Sequence, residues 1–159
     1  MKKRQLILAL LACLLLVPAR ARLGEKLDEL KKRYGTPAPQ AKKDSGSAVW
    51  FFEGEDGQLA YSVRFDAKGR SIAEGLKPVG YAIFSRNTVQ NFIDGQLAPY
   101  RDSKTMLRVN PGEKYGFGGK SYVCGSQEMV IVDDANNLLI VWSRGGVPMV
   151  LAATHASMQ

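Results

Sequence analysis

The reactive side chains are few. Of 159 residues, one is histidine, His155, and two are cysteine, Cys13 and Cys124. Cys124 and His155 could form a nucleophile pair, which needs sulfur and ring nitrogen within hydrogen-bond reach and a third group to orient the ring. Their settings argue against it. Tyr122-Val123-Cys124 reads as a strand, where a thiol is usually a small buried hydrophobe, and His155 lies in a terminal segment prone to fraying. One imidazole and one thiol cannot complete a zinc set, so neither a metal nor another cofactor is expected. Asp133-Asp134-Ala135-Asn136-Asn137 is rich in oxygen but lacks the ligand spacing and closing glutamate of a calcium loop, and reads as a hairpin turn. Gly116-Phe117-Gly118-Gly119-Lys120 looks like a phosphate loop until its flanks are read: they are strand-like and open no helix. Glu53, Glu55 and Asp56 crowd one exposed turn, where carboxyl pKa values are rarely raised. Ser126, after Gly125, lacks the flanks of a nucleophile elbow. No catalytic, cofactor-binding or metal-binding residue is assigned.

The elements that would position any site alternate in kind. Leu23, Leu27, Leu30 and Tyr34 make one helical stripe, stopped by Gly35 and by Thr36-Pro37-Ala38-Pro39. Residues 40–47 read as an exposed linker. Strands follow at 48–53, 58–66 and 70–74. The turn Asp66-Ala67-Lys68-Gly69 asks Gly69 for positive φ in a bulged hairpin. A second helix is capped by Ser85, carries Val89, Phe92, Ile93 and Leu97 inward, and stops before Pro99. Short strands are then predicted around 105–109 and 115–117, and at 120–124, 128–133, 138–143 and 148–154. Links this short exclude crossover helices, so the pairing should be antiparallel. The fold class is α+β: an antiparallel sheet with two helices on one face, from two tandem helix-then-meander units near 22–80 and 81–159. Trp50, Phe51 and Phe52 are consecutive, so at least one must leave the core. An exposed Trp50 or Phe52 on a flat sheet would favour a binding role.

Residues 1–21 read as an export signal: Lys2, Lys3 and Arg4, an apolar run from Leu6 to Val17, then Ala19-Arg20-Ala21 as a cleavage site. That run is too short to span a bilayer. Lipidation at Cys13 is disfavoured because the run stays apolar beyond the cysteine. The leader holds four bases and no acid, so of 22 bases and 15 acids, 18 and 15 remain, a net +3. From Asp44 onward 11 bases face 12 acids, a neutral body unlike the basic face of a nucleic-acid binder. Residues 22–159 suit one domain able to bury a core without disulfides.

Gly24, Leu27 and Leu30, then Tyr34-Gly35-Thr36-Pro37, Trp50 and the 63–69 hairpin resemble two small exported groups. These are the outer-membrane assembly lipoproteins of the SmpA/OmlA type and the β-lactamase-inhibitor-like proteins. The resemblance covers about the first third of the chain after the leader. It implies a shared fold and no functional residue: the lipobox of one group and the disulfides of the other are absent. The sequence thus reads as an exported, non-catalytic binding or interaction protein of the bacterial envelope, periplasmic or secreted, with a protein or envelope polymer as partner. Two other classes stay open: a small exported hydrolase with dispersed carboxylates, and a structural envelope protein that oligomerises through an edge strand.

Overall fold

The computed structural model describes residues 22–39, 46–54, 57–80 and 84–159. The leader with Cys13, most of the 40–47 linker, and Glu55 and Asp56 fall outside them. Helix α1 (Leu27–Tyr34) begins one turn later than the stripe from Leu23 predicts. The cause is visible in the hydrogen bonds. The Leu23 amide donates to Gln96 Oε1 at 3.1 Å and the Gly24 amide to Ser71 Oγ at 2.9 Å, while Glu25 O accepts the Ser71 amide at 2.8 Å, so the segment is tied to α2 and β3 with Gly24 at φ 91°, outside the helical region. Gly35, at φ 79°, closes the helix with its amide on Lys31 O, a left-handed position that costs glycine little.

Strands β1 (Ser47–Gly54), β2 (Gly57–Phe65) and β3 (Ser71–Pro78) form the first meander. The β2–β3 register shifts between Arg64 and Phe65, and Gly69 takes φ 71°, as the bulged hairpin requires. Helix α2 (Arg86–Leu97) follows, with Ser85 Oγ accepting from the Thr88 amide at 3.1 Å. Then come β4 (Leu107–Val109), β5 (Lys114–Phe117), β6 (Lys120–Val123), β7 (Glu128–Asp133), β8 (Leu138–Ser143) and β9 (Met149–Ala153).

All pairings between these strands are antiparallel, and seven strands join in the order β1-β2-β3-β9-β8-β7-β4. The architecture is the α+β arrangement read from the sequence. It departs in one respect: β5 and β6 pair only with each other and form a separate two-stranded ribbon. The two meanders, β1-β2-β3 and β7-β8-β9, meet at the β3–β9 seam and run symmetrically outward from it, with β4 added beyond β7.

Strand alternation sorts the side chains into two layers. Trp50, Tyr61, Leu76, Val150, Trp142 and Met129 form one row across six strands. That face packs against Leu30 of α1 and Val89, Phe92 and Ile93 of α2. Each large apolar side chain fully buried there contributes about 1.5–3 kcal/mol. Tyr34, Trp50, Phe52 and Tyr61 add edge and tilted ring contacts with centroids 5.3–6.3 Å apart. The opposite row runs Val49, Ser62, Gly75, Leu151, Val141, Val130 and Val109. Its β7-side half lies beneath the β5–β6 ribbon, where Phe117 and Cys124 are buried.

Candidate functional site

Cys124 and His155 take different partners. The thiol is buried, and its sulfur lies 3.7–3.8 Å from the carbonyls of Val109, Gly125 and Glu128. Burial pushes its pKa up, with Glu128 and Glu113 adding to the shift, so the thiolate needed for attack is scarce. The imidazole Nε2 sits 2.8 Å from Asp134 Oδ1, and its ring tilts over Phe117 at 4.5 Å. Asp134 Oδ1 also accepts the Gly118 amide at 2.9 Å. That bond, with the His155 contact second, holds the carboxyl below its ordinary range. His155 is thus a joint between the ribbon tip, the β7–β8 turn and the end of β9.

The oxygen-rich loop is a turn. Asp133, 0% exposed, accepts from Ser103 Oγ at 2.5 Å, Thr105 Oγ1 at 2.6 Å, and Asn136 through Nδ2 at 2.8 Å and its amide at 3.3 Å. Burial alone would raise its pKa, but these bonds outweigh burial and hold it low. Asn137 completes the turn in the left-handed region at φ 58°. Among the described residues no group of three or more His, Cys, Asp or Glu side chains is placed to hold a metal ion. Gly118-Gly119 is the tip of the ribbon. The triplet Gly119-Lys120-Ser121, the ending of a phosphate loop, therefore stands at a β-turn, with Lys120 Nζ donating to Met158 O at 3.0 Å.

Sequence reasoning missed a buried polar network. Glu74 on β3 is 0% exposed and accepts from Ser71 Oγ at 2.8 Å and Gln96 Nε2 at 2.6 Å. Burial raises its pKa, against the opposing pull of these bonds. The Tyr61 hydroxyl lies within interaction range of the carboxyl but outside good hydrogen-bond geometry. Ser71 and Gln96 in turn hold the Gly24 and Leu23 amides, so the network fastens the segment before α1 to the sheet and to α2. The signal was present: Glu74 is in phase with Leu76 on the core face, and Gln96 follows Phe92 and Ile93 at helical spacing. A strand ending at Glu74 hides it; β3 continues to Pro78 and carries Glu74 inward.

The open face lies on the first meander. Trp50 is 2% exposed and Phe52 packs against the core, so neither is the exposed aromatic. That residue is Phe51, 51% exposed, on the opposite side of β1. Beside it the outer face carries Ala60 and Ser62 of β2 and Ala73 and Gly75 of β3, with Leu151 and Met149 of β9 beyond, Met149 being 37% exposed. Among the described residues no strand or helix overlies this half. The C-terminal turn touches one end of it, where the Arg64 guanidinium donates to Ser157 O. Glu53 accepts from Gln58 Nε2 at 3.1 Å. A separate solvent-open groove of about 640 Å³ runs between β4 and β5, lined by Leu107, Arg108, Lys114 and Tyr115.

Fold and surface together define a class: an α+β protein with a seven-stranded antiparallel sheet and a separate two-stranded ribbon, the ribbon lying over only one half of the sheet's outer face. No family model and no curated protein matches the chain. Among solved structures, a cysteine-rich secretory protein from Staphylococcus aureus is similar at 11% identity and a TM-score of 0.45, over 86% of this chain and 46% of that one. The chain therefore spans under half the length of that protein, and so distant a likeness assigns it to no family.

Proposed function

We propose that this is an exported, non-catalytic binding protein of the bacterial envelope that holds a protein partner on the open sheet face around Phe51. The carrying observation is the half-exposed Phe51 ring, with Met149 exposed farther across the same face of the sheet, the kind of feature that marks interaction sites. The leader pattern of residues 1–21 supports the compartment. Among the described residues no helix is long and apolar enough to cross a membrane. The placement of the titratable groups supports a non-catalytic role. Cys124 is sunk against carbonyls, and Asp133 and Asp134 are occupied by turn donors.

Incorporating a photoreactive benzophenone side chain at position 51 tests this in bacterial cells expressing the protein. Illumination is expected to give a discrete adduct containing one identifiable envelope protein. The same group at Leu107, exposed on β4 at the opposite edge of the sheet beyond the ribbon-covered half, is expected to give none. Absence of any adduct from position 51, or equal labelling from both positions, would contradict the proposal.

A further inference from the structure

Resting on that sheet-face reading, the geometry points to a particular occupant: a β-ribbon of the partner, two antiparallel strands with aromatic side chains on the inner side. The chain itself displays such a seat. Over the second meander its own β5–β6 ribbon buries Phe117 and Cys124 against Val130, Val132 and Leu139, with Tyr115 and Tyr122 stacked at 5.5 Å. Because the two meanders run symmetrically outward from the β3–β9 seam, the first offers the corresponding face on the same side of the sheet. The two halves are continuous through the row that joins Val49 to Val109. The difference lies in the links. Residues 98–127, between α2 and β7, contain the ribbon, whereas α1 and β1 are joined by residues 35–46 alone.

The uncovered floor fits such a visitor. Ala60, Ser62, Ala73 and Gly75 raise little side chain between Phe51 on one flank and Leu151 and Met149 on the other. A Cβ placed on Gly75 would stand 3.3 Å from Ser62 Oγ and 3.6 Å from Leu151 Cδ1, so these two side chains lean over the glycine and level the floor there. Aromatic rings descending from a ribbon would meet this floor much as Phe117 meets Leu139. A sheet layer seated about 10 Å above another is the ordinary spacing of such packing. Lys77, exposed at one end of the floor and in no ion pair among the described residues, complements an acidic residue flanking the ribbon's aromatics.

The test is an NMR titration of the purified protein with a head-to-tail cyclised peptide copying residues 113–123, the chain's own ribbon. A linear peptide of the same composition in scrambled order serves as control. Saturable shifts are expected at the amides of Phe51, Ser62 and Gly75 with the cyclic peptide alone. Phe51→Arg, a surface change whose melting temperature reports intact folding, is expected to weaken binding at least tenfold. No saturable shift at millimolar cyclic peptide, or equal shifts with the scrambled one, would overturn the ribbon. If position 51 still crosslinks one envelope protein in cells, the sheet-face reading survives that result; if it does not, both fall.

Discussion

Glu74→Gln is expected to make the protein more stable at pH 8, and Glu74→Ala to make it less stable by about 3 kcal/mol or more. The carboxyl is buried, and its pKa is raised in the folded protein. A raised acid contributes stability that is fully present below its unfolded value of 4.5 and lost as pH climbs towards the folded value. Unfolding free energy should therefore fall by about 1.4 kcal/mol per pH unit over that window. Glutamine keeps the shape, carries no proton to lose, and can exchange hydrogen bonds with Ser71 and Gln96 after an amide flip. Its stability should be flat where the parent declines. Alanine instead leaves Ser71 Oγ and Gln96 Nε2 short of an acceptor and opens a cavity, each a cost of about 1–3 kcal/mol. Urea denaturation of the three proteins from pH 4 to pH 9 checks both outcomes. A parallel pH slope in Glu74→Gln would mean that the carboxyl is ionised when folded.

Asp133→Ala is expected to cost about 2–4 kcal/mol, with the opposite pH signature. The side chain gathers hydroxyls from Ser103 and Thr105 and both donors of Asn136, joining the segment after α2 to the β7–β8 turn. Hydrogen bonds to a charged acceptor are worth about 1.5–3 kcal/mol each, though not additively. Its pKa is held below 3.8, so its contribution is present above 3.8 and lost as pH falls through the folded value. Chemical denaturation between pH 2.5 and pH 7 should show the parent losing stability on the acid side more steeply than the variant. Asp133→Asn, which keeps the shape but not the charge, should fall between them. A loss below 0.5 kcal/mol for Asp133→Ala would contradict the anchoring role.

These two carboxylates also mark how far the sequence could be read. Strands β7 and β8 were legible to the residue because Val130, Val132, Leu139 and Val141 alternate between polar turns, and α2 because Ser85 and Pro99 punctuate it. Gly69 announced the bulged hairpin. The start of α1 was not legible, because Leu23 and Gly24 before it are held out of the helix by Gln96 and Ser71, tens of residues away. Nor was the separation of the ribbon: strand periodicity says where a strand lies, not which sheet it joins. The exposed aromatic was narrowed to three consecutive residues. Choosing Phe51 required the pairing of Trp50 with Tyr61, a register that long-range packing fixes.

The central claim, that the open half of the sheet is covered by a protein partner in the cell, is most directly tested by hydroxyl-radical footprinting read by mass spectrometry. Purified protein and protein in intact cell envelopes are compared at two phenylalanines. Phe117, on the buried side of the ribbon, should be protected in both. Phe51 should react readily when purified and be protected in the envelope. Equal reactivity of Phe51 in the two settings would contradict the account.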